Sequence, residues 1–108
     1  MKRDNILALV RDIFVGDPVK RQRELLDNLA KVQAEHVSSV AKYCNLVDHF
    51  ASRVANIDHS TEWWEYARAK QSLYDNTIEL EVARSRKAGS EAAVREALVK
   101  LDEMTHPL

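Results

Sequence analysis

The stretch Pro18–Ile57, PVKRQRELLDNLAKVQAEHVSSVAKYCNLVDHFASRVANI, decides the fold. It follows Asp17, whose short carboxylate can cap a helix, and Pro18 suits the first helical position because its missing N–H costs nothing there. No glycine or proline then occurs until Gly89. Leu26, Leu29, Gln33, His36, Val40, Tyr43, Val47, Phe50, Val54 and Ile57 alternate steps of three and four. That spacing holds them on one side of an α-helix. A flanking row of Leu25, Ala30, Val37, Ala41, Cys44, Ala51 and Ala55 widens the stripe, and polar side chains such as Asp27, Lys31, Glu35, Lys42 and His49 occupy the opposite side. A stripe wider than a two-stranded seam predicts a bundle contact.

Working outward, Asn56-Ile57-Asp58-His59-Ser60 is the expected break, because Asn, Asp and Ser offer the backbone local hydrogen bonds that favour turns and caps. Ser60 is expected to cap a helix over 61–87, with a seam of Trp64, Ala67, Gln71, Tyr74, Ile78 and Val82 flanked by Trp63, Leu73, Thr77 and Leu80. Ala88-Gly89-Ser90 reads as a stop and a fresh cap, so a separate helix is expected over 91–104, with Val94, Ala97, Leu98, Leu101 and Met104 on one face. Towards the N-terminus, Asp4 starts a short helix over 4–15, in which Ile6, Leu7, Val10, Ile13 and Phe14 recur at helical spacing before Gly16. The expected architecture is all-α: one domain over 1–108, an elongated antiparallel hairpin or bundle with one ~40-residue helix and short helices at both ends. A helix of roughly 60 Å cannot fit in a compact chain of this size, whose radius of gyration would be near 13 Å. The uncovered remainder of its apolar side therefore predicts a homodimer.

Composition narrows the function class. The chain has 108 residues, 45% apolar and 31% charged, with a formal net charge of −1. That balance suits neither a disordered nor a membrane-spanning chain. The longest apolar run, Ile6 to Val10, is far short of the ~20 residues of a membrane span and too short for a signal peptide. Cys44 is the single cysteine, so no internal disulfide forms, and a cytoplasmic location is expected.

Candidate chemistry is sparse. His36 lies on the long seam and reads as a core-edge histidine with one nitrogen satisfied. His49 stands on the polar side, and an exposed histidine on a helical bundle resembles the phosphoryl acceptor of phosphotransfer bundles; Arg53, one turn on, could pair with phosphate, but Phe50 and Ala51 follow where Lys and Gly usually stand. A di-metal carboxylate bundle needs two Glu-x-x-His pairs, and only Glu103-Met104-Thr105-His106 occurs. Cys44 sits in the apolar flank, where a thiol is unreactive. Two glycines make no phosphate-cradling loop. The chain is therefore expected to be no enzyme, with no catalytic residue, cofactor or metal.

Two surfaces remain. Lys20, Arg21 and Arg23, with Arg84, Arg86 and Lys87, would gather at the end of the hairpin away from the turn and form a basic patch for a phosphate backbone. No aromatic residue is interleaved with them for base stacking. Trp63, Trp64 and Tyr66 cluster near the expected turn. Consecutive tryptophans on a helix point about 100° apart, so one of them leaves the buried stripe. Trp and Tyr dominate binding hot spots. The Trp-x-Gly turn signature of small secreted helical hairpins is absent, because Trp63-Trp64-Glu65 has no glycine. The function expected is a protein–protein interaction module (an inhibitor, adaptor or chaperone-like bundle, such as a phage or bacterial regulator), with another protein as partner. A nucleic-acid-associated regulator using the basic end is the alternative.

Overall fold

The structure is a computed structural model that describes residues 17–106. Two helices, α1 over Pro18–Asn56 (39 residues) and α2 over Trp63–Thr105 (43 residues), pack against each other as an antiparallel hairpin. The expected helix over 4–15 lies outside the described residues.

The start of α1 is the one its sequence dictates. Asp17 accepts a hydrogen bond from the Val19 N–H at 3.0 Å, and Pro18 follows as the first helical residue. The helix ends at Asn56, and Ile57 turns extended while its N–H still reaches the Arg53 carbonyl at 3.0 Å. Asp58 organises the turn by accepting both the Ser60 N–H at 2.9 Å and the Ser60 hydroxyl at 2.7 Å. The Ser60 hydroxyl, then its N–H, then Thr61 hold the Asp58 carboxyl below its ordinary carboxylate range. Ser60 is thus spent on Asp58 and does not cap the next helix. α2 begins two residues later than expected, at Trp63, and Glu62 makes no side-chain cap bond.

Along α1, all ten residues of the expected seam, from Leu26 to Ile57, are half-buried against α2. The flanking row is not used within the hairpin: Leu25, Ala30, Val37, Ala41, Ala51 and Ala55 are exposed, and only Cys44 is half-covered.

The α2 seam differs from the sequence reading. Trp64, Ala67, Gln71, Tyr74, Ile78 and Val82 all face away from α1 and are exposed. The side turned to α1 is Tyr66, Ala69, Leu73, Asn76, Leu80, Ala83, Lys87, Ser90, Val94, Ala97, Leu101 and Met104, an unbroken alternation of steps of four and three. Five of these positions, seven apart, carry small side chains: Ala69, Asn76, Ala83, Ser90 and Ala97. Four of the five are buried. The physical reason is close approach: a small residue every second turn lets the α1 backbone come near, and the bulky α1 seam fills the space between.

The expected break at Gly89 does not occur, and residues 91–104 are not a separate helix. The seam passes through Gly89 in phase, so a single straight helix buries both halves. Lys87 pairs with Glu91 at 3.5 Å across the glycine, and the Ser90 hydroxyl donates to the Lys87 carbonyl at 2.9 Å. A glycine inside a helix costs about 1 kcal/mol against alanine, which is too little to overcome continuous packing.

Two polar pairs fix the register. The Gln22 side-chain amide donates to the Ala97 carbonyl at 3.1 Å. His36 Nδ1 lies 3.0 Å from Ser90 Oγ. The Ser90 proton is already donated to Lys87, so the assigned network makes Nδ1–H of His36 the donor. A one-heptad slip would break both pairs. Among the described residues no side chain is completely buried, and Leu80 is the largest in the buried core.

Candidate functional site

The outward side of α2 is the most distinctive surface of the molecule. Trp64, Gln71, Ile78, Ser85, Ala92 and Val99 stand seven apart along its crest, and Ala67, Tyr74, Ala88, Val82 and Gly89 lie beside them. Tyr74 is 63% exposed, Trp64 58% and Ile78 42%. α2 therefore carries apolar residues on two opposite sides, whereas α1 exposes Leu25, Val32 and Val37 only beside its seam and is largely polar on its outer side. A row of this length exceeds the scattered apolar residues normal on a monomer surface.

The turn end adds the aromatic cluster. Trp63 and Trp64 are both exposed, with ring centroids 5.6 Å apart. Trp64 is not in the seam, contrary to the sequence reading. Tyr66 takes that place: it is half-buried, and its ring lies 3.8 Å from the His59 ring. Lys70 reaches over the Tyr66 ring at 5.7 Å. Tyr66, Ala67, Lys70, Gln71 and Tyr74 line an open recess of about 470 Å³ beside the Trp pair. A recess between two aromatic rings on an apolar crest suits a protruding side chain from a partner.

The basic residues are not brought together. Lys20, Arg21 and Arg23 flank Gln22, which meets Ala97 near the far end, whereas Arg84 Nη2 reaches the Cys44 thiol at 4.0 Å near the middle of the rod. Along α2 the step from Ala97 back to Arg84 is thirteen residues, so at ~1.5 Å per residue the two clusters stand about 20 Å apart. Lys87 lies half-buried in the seam, paired with Glu91, while Arg84 and Arg86 are exposed. The expected single basic end therefore becomes two separated clusters.

His49 is exposed beside Phe50, at 5.0 Å between ring centroids. Arg53 reaches across the hairpin to Glu65 at 3.9 Å, and His49, Arg53, Glu65 and Arg68 line one recess of about 200 Å³. Cys44 is half-exposed rather than buried. Among the described residues, no group of three His, Cys, Asp or Glu side chains stands close enough to hold a metal ion, and no helix is long and apolar enough to cross a membrane.

The chain matches no protein-family model, no curated protein and no solved structure with which it was compared.

The sequence points to Trp63, Trp64 and Tyr66, but its hydrophobic spacing also assigns Trp64, Ala67, Gln71, Tyr74, Ile78 and Val82 to a buried seam. Of the face expected over 91–104, Val94, Ala97, Leu101 and Met104 do turn to α1 and contain the missing signal, whereas Leu98 is 48% exposed. Carried backwards from Met104 in steps of three and four, that face runs through Ser90, Lys87, Ala83 and Leu80 to Tyr66 without interruption.

Proposed function

We propose that the protein is a non-enzymatic interaction module: a helical hairpin that presents the outward side of α2 to another protein. One observation carries the reading, the exposed row of Trp64, Tyr74, Ile78 and Val82 on the side of α2 turned away from α1. Exposed aromatic and branched side chains at helical spacing are what a second amphipathic helix buries when it lies along a groove. The exposed Trp63–Trp64 pair and the recess at Tyr66 would anchor one end of that contact. The hairpin's own core, with Leu80 as its largest buried side chain, gives the chain a further reason to be covered.

Inhibitor, adaptor and chaperone-like roles share this mechanism, which is surface burial without bond making. The direct test compares capture of protein partners by the wild-type chain and by Tyr74→Lys and Ile78→Lys variants. Both positions point outward, so helicity should be unchanged while capture falls at least tenfold. Equal capture by all three chains would refute the reading.

A further inference from the structure

We infer that the outward side of α2 is the interface with a second copy of this chain, packed antiparallel to the first. The inference rests on the reading of that side as a protein-binding surface and names its occupant.

The row is not uniform along its length. Its first half carries Trp64, Tyr74 and Ile78, and its second half carries Ser85, Ala88, Gly89 and Ala92. A two-fold contact must be self-complementary, each residue meeting a counterpart that meets it in return. An antiparallel copy lays each bulky half over the other small half. A parallel copy sets Trp64 beside Trp64 and leaves a gap along the small half.

Gly89 points the same way. It lies on the outward side, and a Cβ added there would meet nothing within 4 Å. The hairpin gives no reason for a glycine in the middle of this helix, whereas close approach of a second helix does. With the two-fold axis near Val82, Tyr74 lies over Ala88 and Gly89, Gln71 over Ala92, and Trp64 over Val99. On one edge, at the flank where Arg68 and Glu96 also border the grooves against α1, Arg68 comes level with Glu96 of the other copy, and neither is in an ion pair among the described residues. On the other edge Arg95 comes level with Ala67, at the recess between Tyr66 and Tyr74, where its guanidinium can lie against the rings. Glu81 approaches its own mate near the axis, the one unfavourable meeting.

The area is sufficient. From Trp64 to Val99 the crest runs about 54 Å at ~1.5 Å per residue, and a strip about 10 Å wide covers roughly 540 Å² per copy. The total of about 1,100 Å² passes the ~1,000 Å² expected of a specific interface.

The test is sedimentation equilibrium on the full chain at micromolar concentration. The expected result is the mass of two chains. Ile78→Lys and Tyr74→Lys each weaken association about 100-fold or more, because every dimer buries the change twice. Arg68→Glu weakens it several-fold, and Arg68→Glu combined with Glu96→Arg restores it. In a Cys44→Ser background, Val82→Cys forms a disulfide with its own copy, whereas Trp64→Cys bonds a Val99→Cys chain and not itself. Self-bonding of Trp64→Cys overturns the antiparallel arrangement. A dimer that survives Ile78→Lys overturns the choice of face. A single-chain mass at tens of micromolar overturns the second copy, and an apolar dye then separates the two readings. Dye binding lost in Ile78→Lys leaves the face a docking surface for a different protein, and no dye binding removes both readings.

Discussion

Leu80→Ala and Ile78→Ala make a matched pair, two residues apart on one helix and on opposite sides of it. Leu80 is 7% exposed in the seam, and Ile78 is 42% exposed on the crest. Truncating Leu80 removes three carbons from contact with α1. At ~0.8 kcal/mol per buried carbon the transfer loss is about 2.4 kcal/mol. Two helices can close partly over the gap, so the cavity contribution is small and the total stays near 2–3 kcal/mol. The measurement is urea unfolding followed by circular dichroism at 222 nm, at the lowest workable protein concentration so that association contributes little. With a slope of about 1 kcal/mol/M for a chain this short, Leu80→Ala should lower the midpoint by about 2 M. Ile78→Ala should cost under about 1 kcal/mol at that concentration, rising as the concentration is raised. If Ile78→Ala proved the costlier at low concentration, the assignment of the two sides of α2 would be wrong.

Three further outcomes follow from the same geometry. Gly89→Ala should stabilise the isolated hairpin by about 1 kcal/mol in the same urea assay, since the new Cβ meets nothing and the helix gains propensity. Ser90→Ala should cost about 1 kcal/mol by leaving the half-buried His36 Nδ1–H without its acceptor, while Ser85→Ala on the crest should be neutral. The turn should respond to acid. The Asp58 carboxyl titrates below its ordinary value when folded, so its contribution is complete above roughly pH 4 and disappears as pH falls through the lower folded value. The chemical shifts of the His59 and Tyr66 rings should report that loss, and in Asp58→Asn they should show no such step.

The long helix was legible because its information is concentrated: α1 has one apolar side, one polar side, and an Asp-Pro start. The hairpin and its turn followed from the Asn, Asp and Ser residues at 56–60. α2 was harder for a physical reason. Its buried side is built from Ala69, Asn76, Ala83, Ser90 and Ala97, chosen for small size, while Trp64, Tyr74, Ile78 and Val82 face outward. A reading that ranks sides by hydrophobicity selects the wrong one when close approach, rather than apolar volume, defines the seam. The same confusion produced the break at Gly89. A glycine after Ala88 and before Ser90 has the composition of a stop, and only the continuity of phase across it reveals a helix that runs on. The basic clusters were placed together because the helix after Gly89 was expected to be separate. One continuous 43-residue α2 puts Arg84 at mid-rod instead.

Small-angle X-ray scattering on the full chain, with absolute intensity for mass, tests the central claim most directly. The account predicts a rod at least as long as α2, about 65 Å at ~1.5 Å per residue, holding two chains side by side. A single-chain particle with a radius of gyration near 13 Å, the value for a compact globule of this length, would contradict it.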